Sequence, residues 1–213
     1  CVILGLRVVC HGSPSAFSPV LYVSNHTSYL DIVVLAAILE ASFVAKQEVA
    51  AWPGFGLLAR LNRTVFVQRS AGRALEYRDQ MRCRIMGGQN LVLFPEGTSN
   101  DGNRVLRFNS TFFSVAETEA QGNPVTVQPI AIAYTTLDGL PLGRSRRPLF
   151  AWYGEMDLVS HLWSVLGQSV VTVEIAFLPT TTMEACGSRK DMARRCQLMV
   201  ATSVSDMLGG RLV

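Results

Sequence analysis

Two short segments carry the residue types needed for acid–base chemistry. Residues 25–31 read Asn-His-Thr-Ser-Tyr-Leu-Asp, which places the imidazole of His26 five residues ahead of the carboxylate of Asp31. An imidazole has an unperturbed pKa close to neutrality, and a carboxylate that holds its tautomer makes it a general base. Residues 94–98 read Phe-Pro-Glu-Gly-Thr and add a second carboxylate, Glu96, in a flexible turn. A base for a hydroxyl proton, beside a turn whose backbone can hold an anion, indicates acyl transfer to an alcohol.

The spacing of His26 and Asp31 restricts how their side chains can meet. Inside one regular helix, five residues correspond to about 500° of rotation, which leaves the two side chains ~140° apart. They can pair if His26 lies in the turn before a helix and Asp31 lies in its first turn or two. The alternative is a structural role, in which His26 caps the helix and Asp31 complements its dipole.

Both segments follow short apolar runs that are typical of buried strands. Similar runs predict strands at 20–23, 42–45, 64–67, 90–94, 125–133, 149–153 and 170–177, and longer stretches predict helices at 28–39, 71–86, 110–120, 157–166 and 188–208. This alternation predicts an α/β fold: a single domain over residues 1–213, with a mostly parallel or mixed central sheet flanked by helices. Ligands of such sheets bind at the carboxyl ends of the strands, where both segments fall.

The composition excludes several classes of protein. Of the 213 residues, 49% are hydrophobic and 16% are charged. The longest uncharged apolar run, residues 32–39, is far shorter than the ~18 residues of a spanning helix, so we expect a surface that rests on a membrane rather than crosses it. The five cysteines are scattered and predict neither disulfides nor a zinc site. Arginines predominate among the basic residues, but the signatures of nucleic-acid binding are missing, so we expect no nucleic acid.

Two further segments have types and positions that fit a site. Arg69 ends the predicted strand 64–67 and can point its guanidinium into the same cleft. Residues 127–130 read Val-Gln-Pro-Ile, a strand interrupted by Pro129, and proline in a strand belongs at an edge or a bulge. Each feature, taken alone, also fits a structural role.

Taken in order, these segments resemble the conserved blocks of the glycerolipid acyltransferase family, which includes bacterial 1-acylglycerol-3-phosphate acyltransferases. The four blocks are Asn25-His26 with Asp31, residues 66–69 behind the glycine turn at 54–56, residues 94–98, and residues 127–130. The match lies in a motif-bearing core, residues 20–135. It implies the α/β fold of the glycerol-3-phosphate acyltransferases.

The resemblance implies a role for each residue. His26 takes the proton of a lysolipid hydroxyl as that oxygen attacks a fatty acyl thioester, and Asp31 orients and charges the imidazole. No acyl-enzyme, metal or cofactor is needed, because acyl-CoA or acyl carrier protein serves as co-substrate. The residues implied in substrate binding are Arg69, Glu96, Gly97 and Thr98, with Lys46 and Glu48 as a further Lys-x-Glu element.

One departure from the family pattern concerns the acceptor. Members that use a phosphate acceptor carry Arg directly after Glu-Gly-Thr, where this chain has Ser99. Arginine is a bidentate phosphate donor, so its loss disfavours lysophosphatidic acid. The run 96–106 is more similar to the branch that acylates lyso-ornithine lipid. Arg104 or Arg107 can still replace the missing charge, so both acceptors stay open.

The resemblance also implies a place in membrane lipid biosynthesis. The chain opens on Cys1 and an apolar run, so we expect a preceding membrane-associating segment. The protein would then act at the cytoplasmic face of the membrane, peripheral or anchored by that segment. Two alternatives remain: a catalytically silent relative that binds lipid or acyl carrier, and a hydrolase in which His26 activates water against an acyl thioester.

Overall fold

The computed structural model describes residues 1–46, 65–67, 74–120 and 122–211. Within these ranges the helices are α1 (Tyr29–Ala36), α2 (Ala74–Met86), α3 (Leu158–Leu166), α4 (Met183–Cys186) and α5 (Arg189–Leu208), with 3-10 turns at Val2–Leu4, Ser110–Glu117 and Arg147–Leu149. The strands are β1 (Leu6–His11), β2 (Val20–Ser24), β3 (Ser42–Lys46), β4 (Val65–Val67), β5 (Leu91–Leu93), β6 (Glu119–Ala120), β7 (Asn123–Pro124), β8 (Thr126–Leu137), β9 (Leu140–Pro141) and β10 (Val171–Phe177).

Eight of the described strands form one mixed sheet in the order β1-β10-β8-β2-β5-β3-β4, with β9 paired to β8. Along the part of the sheet ordered β8-β2-β5-β3-β4, each strand pairs in parallel with the next. β10 runs antiparallel to β8, and β1 runs parallel to β10. With helices on both faces, this sheet confirms the predicted α/β fold with a mixed central sheet.

Alternate residues of the central strands supply two cores, one on each face of the sheet. In β2, Val20 and Tyr22 face the layer that contains α1 and α3, whereas Leu21 and Val23 face the layer that contains α2 and α5. All four side chains are buried. Because both faces are covered, the strand reads in the sequence as an unbroken apolar run.

The main helices begin where the sequence supplies a cap. Ser28, Asp157 and Ser188 are the N-caps of α1, α3 and α5, and each side chain accepts a hydrogen bond from a backbone N–H of the first turn. In the described part of the chain, no helix combines the length and the apolar content that crossing a membrane requires.

Two predicted elements are wrong. The predicted helix 110–120 is a 3-10 helix over Ser110–Glu117, after which the chain enters the β6–β7 hairpin. The predicted strand 149–153 follows a 3-10 turn that contains Pro148, and no sheet pairing continues there. Instead, the Trp152 N–H donates to the Thr27 carbonyl at 3.0 Å, which ties this segment to the entrance of α1.

The expected edge or bulge position of Pro129 is also wrong, because β8 lies between β2 and β10. Pro129 is tolerated because the β8–β10 ladder ends beside it, at the pair Ile130–Phe177. The next residue, Leu178, still donates its N–H to the Pro129 carbonyl at 3.0 Å. An antiparallel pair would return a second bond to the Leu178 carbonyl. The side-chain amide of Gln128 supplies that bond at 3.2 Å.

Candidate functional site

The two segments singled out in the sequence meet because their strands are neighbours. β2 and β5 run parallel, with Val23 opposite Leu93. His26 lies three residues after Val23, and Glu96 lies three residues after Leu93, so both lie at the same edge of the sheet. The His26 N–H donates to Oε1 of Glu96 at 3.2 Å, which joins the two segments directly.

His26 and Asp31 form the pair that their spacing allowed. His26 lies in the loop before α1, and Asp31 lies in the first turn of that helix. Nδ1 of His26 is 2.9 Å from Oδ2 of Asp31. The imidazole is stacked on the Phe94 ring at a centroid distance of 4.1 Å, so its plane is held from a second side.

Asp31 has no exposed surface and is held by donors on both oxygens. Besides His26, Oδ2 accepts from the backbone N–H groups of Thr27 at 2.7 Å and Ser28 at 2.9 Å. Oδ1 accepts from the Tyr134 hydroxyl at 2.8 Å. The bond from Ser28, the N-cap, is half of a capping box. The same carboxylate therefore starts the helix and orients the imidazole, so the two roles considered for Asp31 coexist.

This arrangement settles which ring nitrogen can act. An ionised carboxylate only accepts hydrogen bonds, so Nδ1 of His26 carries a proton toward Asp31. In the neutral ring Nε2 then holds a lone pair, and it has no hydrogen-bond partner among the described residues. The His26 side chain is 20% exposed, which leaves it open to a substrate. Chemically, the pair can accept a proton at Nε2 and stabilise the resulting imidazolium.

Glu96 is bound by the protein on both oxygens. Oε1 accepts from the His26 N–H, and Oε2 accepts from the Asn100 side chain at 2.8 Å. Burial raises the pKa of Glu96 from 4.5 to about 7, against the lowering effect of these hydrogen bonds, and the charge of Asp31 adds a smaller rise. Glu96 therefore holds the backbone of His26 in place, and Glu96 itself gains or loses a proton near neutral pH.

Asn100 completes a clamp on the His26 backbone. Its N–H and its side-chain Nδ2 both reach the His26 carbonyl, at 3.3 and 3.2 Å. Its Oδ1 accepts from the Gly102 N–H at 2.9 Å. Asn100 is buried, so it positions His26 without facing a substrate.

Gly102 allows the following loop to approach the dyad. Its φ is +75°, and an added Cβ would lie 3.0 Å from Cγ2 of Thr27. A side chain there would push against the residue whose N–H bonds Asp31. Glycine therefore fits this position for both conformation and space.

The remaining predicted residues are placed as follows. Gly97 has a φ of +73° and closes the turn by donating to the Phe94 carbonyl at 3.0 Å, and Thr98 beside it is exposed. Lys46 is the last residue of β3, and only its backbone is described. Glu48 and Arg69 lie outside the described residues, as does the glycine turn at 54–56. Their roles stay predictions.

An arginine from a distant segment lies next to this loop. The Cβ of Arg147 is 4.0 Å from the position of a Cβ on Gly102, and its Nη1 donates to Asn103 at 3.0 Å. Burial and the nearby charge of Arg144 lower the pKa of Arg147. Arg104 and Arg107, the predicted replacements for the missing charge, are both exposed.

Sequence reasoning missed Tyr134, Asn100 and Arg147. Tyr134 and Asp31 are 103 residues apart, and no local pattern connects them. The sequence did give an indication for Asn100, because it lies four residues after Glu96 in a run of turn-forming residues. Asparagine favours such turns because its side chain bonds nearby backbone groups.

The chain is similar to several known proteins. A family model described as Acyltransferase matches residues 7–133. The lyso-ornithine lipid O-acyltransferase of Rhizobium meliloti (strain 1021) is 40% identical over 99% of this chain and 74% of its own length. That of Brucella abortus (strain 2308) is 41% identical over 98% of this chain and 80% of its own length. The fold is shared with the crystal structure of the 1-acyl-sn-glycerophosphate (LPA) acyltransferase PlsC from Thermotoga maritima, with a TM-score of 0.68. The two sequences are 22% identical, and the match covers 96% of this chain and 73% of the PlsC chain.

Proposed function

Because the chain belongs to the acyltransferase family and is an enzyme of that family, we propose that it transfers a fatty acyl group from a thioester to the hydroxyl of a lysolipid, with lyso-ornithine lipid as its acceptor. The observation that carries the proposal is the His26–Asp31 pair, with Nδ1 bound to a buried carboxylate and Nε2 open.

In the proposed reaction, Nε2 of His26 accepts the proton of the lysolipid hydroxyl as that oxygen attacks the thioester carbonyl. The new C–O bond forms, the C–S bond breaks, and the leaving thiolate takes the proton from the imidazolium. Asp31 stabilises the imidazolium through the 2.9 Å contact during this exchange. General-base assistance of this kind contributes about 10²–10⁴ in rate.

Two observations support lyso-ornithine lipid as the acceptor. The relatives from Rhizobium meliloti and Brucella abortus, which match nearly the whole chain, are named for that substrate. In addition, Ser99 stands where phosphate-using members carry Arg, and its hydroxyl donates to the Trp152 carbonyl instead of facing an acceptor. We assign Arg147, beside Gly102, to the carboxylate of the ornithine headgroup.

The donor and the location belong to the same proposal. Acyl-CoA or acyl carrier protein supplies the thioester, and the reaction takes place at the cytoplasmic face of a membrane, where the lysolipid resides. Gly97 and Thr98, together with Arg69, Lys46 and Glu48, are proposed to line the substrate cleft. Glu96 is proposed to act through the backbone of His26, to which it is bonded.

The test is a product analysis by mass spectrometry. Lyso-ornithine lipid and lysophosphatidic acid are each incubated with acyl-CoA and with acyl carrier protein thioester, and we expect ornithine lipid as the main product. His26→Ala should abolish transfer and retain the fold. His11→Ala is the matched control, because His11 also lies 2.9 Å from a carboxylate, Glu174, but on β1. Equal turnover by His26→Ala and the wild type would refute the dyad. Preference for the phosphate acceptor would refute the acceptor, and free fatty acid without acylated lipid would indicate a hydrolase.

A further inference from the structure

Helix α3 presents large apolar side chains to solvent. Val159 and Trp163, four residues apart on one side of the helix, are 69% and 78% exposed. Leu166 continues the same line one turn later, and Met156 precedes it just before the helix begins. We call these four residues the α3 stripe. An exposed line of this kind, on a well-formed helix, is typical of an interaction surface.

The opposite side of α3 is already packed against the core. His161 and Val165 are buried there, and Leu158 and Leu162 pack beside them. Apart from Ser160 and Ser164, the exposed side of the helix is therefore also apolar, whereas a surface helix of a globular protein normally turns a polar face outward. None of the described residues buries the α3 stripe, so a lipid layer or another apolar partner would have to cover it.

The α3 stripe lies on the same side of the sheet as the dyad. Nδ1 of His161 is 3.1 Å from the hydroxyl of Tyr29, which lies in α1 two residues before Asp31. A cavity of about 280 Å³ separates α3 from Pro148 and Leu149. The chain then continues from Leu149 to Trp152, whose N–H bonds Thr27 beside His26. Helix α3, whose outer side carries the α3 stripe, thus packs against the elements that hold the dyad.

Arginines lie near one end of this apolar surface. Arg144 and Arg146 are exposed and Arg147 is half-buried, directly before Pro148 and Leu149. Two acids, Glu155 and Asp157, lie beside Met156, and Asp157 also caps α3, accepting from the Ser160 N–H at 2.8 Å, which places its charge at the helix N-terminus. Exposed arginines near one end of an apolar helix face complement a bilayer that carries anionic headgroups.

We propose that the α3 stripe docks into the surface of a bilayer containing anionic lipid, with Arg144 and Arg146 against the headgroups. The proposal rests on the proposed function, since it names the surface through which a membrane-embedded acceptor reaches His26. Tryptophan suits this role because its ring is apolar and its N–H stays near the polar interface.

The experiment measures binding of the 213-residue chain to phosphatidylcholine vesicles with and without phosphatidylglycerol, by cosedimentation. The double variant Val159→Asp/Trp163→Asp should bind the anionic vesicles at least about tenfold more weakly than the wild type, since binding follows buried apolar area. The matched control is Leu198→Asp, a charge placed at another helical residue, 57% exposed, on α5 in the other layer. Leu198→Asp should bind like the wild type.

Two further measurements test the α3 stripe and the two arginines separately. Brominated lipids should quench the tryptophan emission of the wild type more than that of Trp163→Phe. Arg144→Gln/Arg146→Gln should weaken binding to anionic vesicles and leave binding to neutral vesicles unchanged. Equal vesicle binding by Val159→Asp/Trp163→Asp and the wild type would overturn the proposal. So would a wild-type dimer that this variant dissociates without loss of vesicle binding, because a second copy would then cover the α3 stripe.

Activity separates this proposal from the proposed function. Val159→Asp/Trp163→Asp should lose turnover with lysolipid embedded in vesicles and retain it with lysolipid dispersed in detergent. Loss in both forms, with the fold intact, would overturn the docking role. A wild type inactive with every acceptor in either form would refute the acyltransferase assignment, while vesicle binding would still test the surface.

Discussion

Replacing Asp31 with asparagine removes one charge from the dyad and keeps the shape of the side chain. Oδ2 of Asp31 faces three donors, and two of them are the backbone N–H groups of Thr27 and Ser28, which cannot reverse. The amide oxygen must therefore take that position, and the amide nitrogen must face the Tyr134 hydroxyl, which can accept from it. Helix α1 and the orientation of His26 should survive the change.

The expected loss follows from the missing charge. An imidazolium and a carboxylate with charge centres about 4 Å apart interact by about 4 kcal/mol at an effective dielectric constant of about 20. At 1.36 kcal/mol per factor of ten, that corresponds to a fall in kcat of about 10³. Asp31 has no exposed surface and cannot touch the lysolipid, so KM should stay unchanged.

The assay is steady-state acyl transfer followed by mass spectrometry, with thermal unfolding as a measure of stability. Tyr134→Phe is the control, because it removes the 2.8 Å bond to Oδ1 but keeps the carboxylate charge and the ring that stacks on Phe150. We expect it to cost about 1.5–3 kcal/mol in stability and about tenfold or less in kcat. A kcat for Asp31→Asn within tenfold of the wild type would refute the reasoning. So would a loss expressed only in KM, or an equal loss of activity in Tyr134→Phe.

Glu96 should make stability depend on pH. Because burial raises its folded-state pKa from 4.5 to about 7, the folded protein retains this proton where the unfolded chain has lost it. The wild type should therefore lose stability relative to Glu96→Gln as pH rises from 4.5 to about 7, by on the order of 2–3 kcal/mol. Tm values of both proteins at pH 5 and pH 8 measure this loss. A Tm difference between the two proteins that is the same at both pH values, or that changes in the opposite direction, contradicts the prediction. Gly102→Ala should cost about 1–2 kcal/mol for its positive φ, and kcat should also fall because the new Cβ lies 3.0 Å from Thr27. Gly139→Ala, also at positive φ but with nothing within 4 Å, should lower Tm alone, and equal kcat in the two variants would count against the contact.

The sequence was sufficient for the parts of the site that are local. His26 and Asp31 are five residues apart, and a strand followed by a capped helix determines how they meet. The positions of His26 and Glu96 at carboxyl ends of strands were predicted from two apolar runs that each end just before a polar segment, whereas the pairing of β2 with β5, which joins them, is seen only in the structure. Apolar periodicity and turn chemistry are local properties, so they can be read from one chain.

The parts that were missed depend on contacts between distant residues. Tyr134 reaches Asp31 only because β8 pairs with β2, and Arg147 reaches Gly102 only because its segment passes beside α1. The same segment was predicted as a strand, since Leu149–Tyr153 is apolar and aromatic, but Pro148 and the bond from Trp152 to Thr27 keep it out of the sheet. Tertiary contacts override local propensity at such places.

The dyad is assembled by the same interactions that form the fold. Asp31 closes the capping box of α1, so the helix cannot begin at Ser28 without placing a carboxylate beside Nδ1 of His26. On the other side, Glu96 and Asn100 bond the N–H and the carbonyl of His26, which holds its backbone between two loops. The imidazole is therefore oriented before any lipid binds, and the reaction needs no rearrangement to form its base. It follows that variants which loosen these backbone bonds should lower kcat through the geometry of His26, even where they touch no substrate.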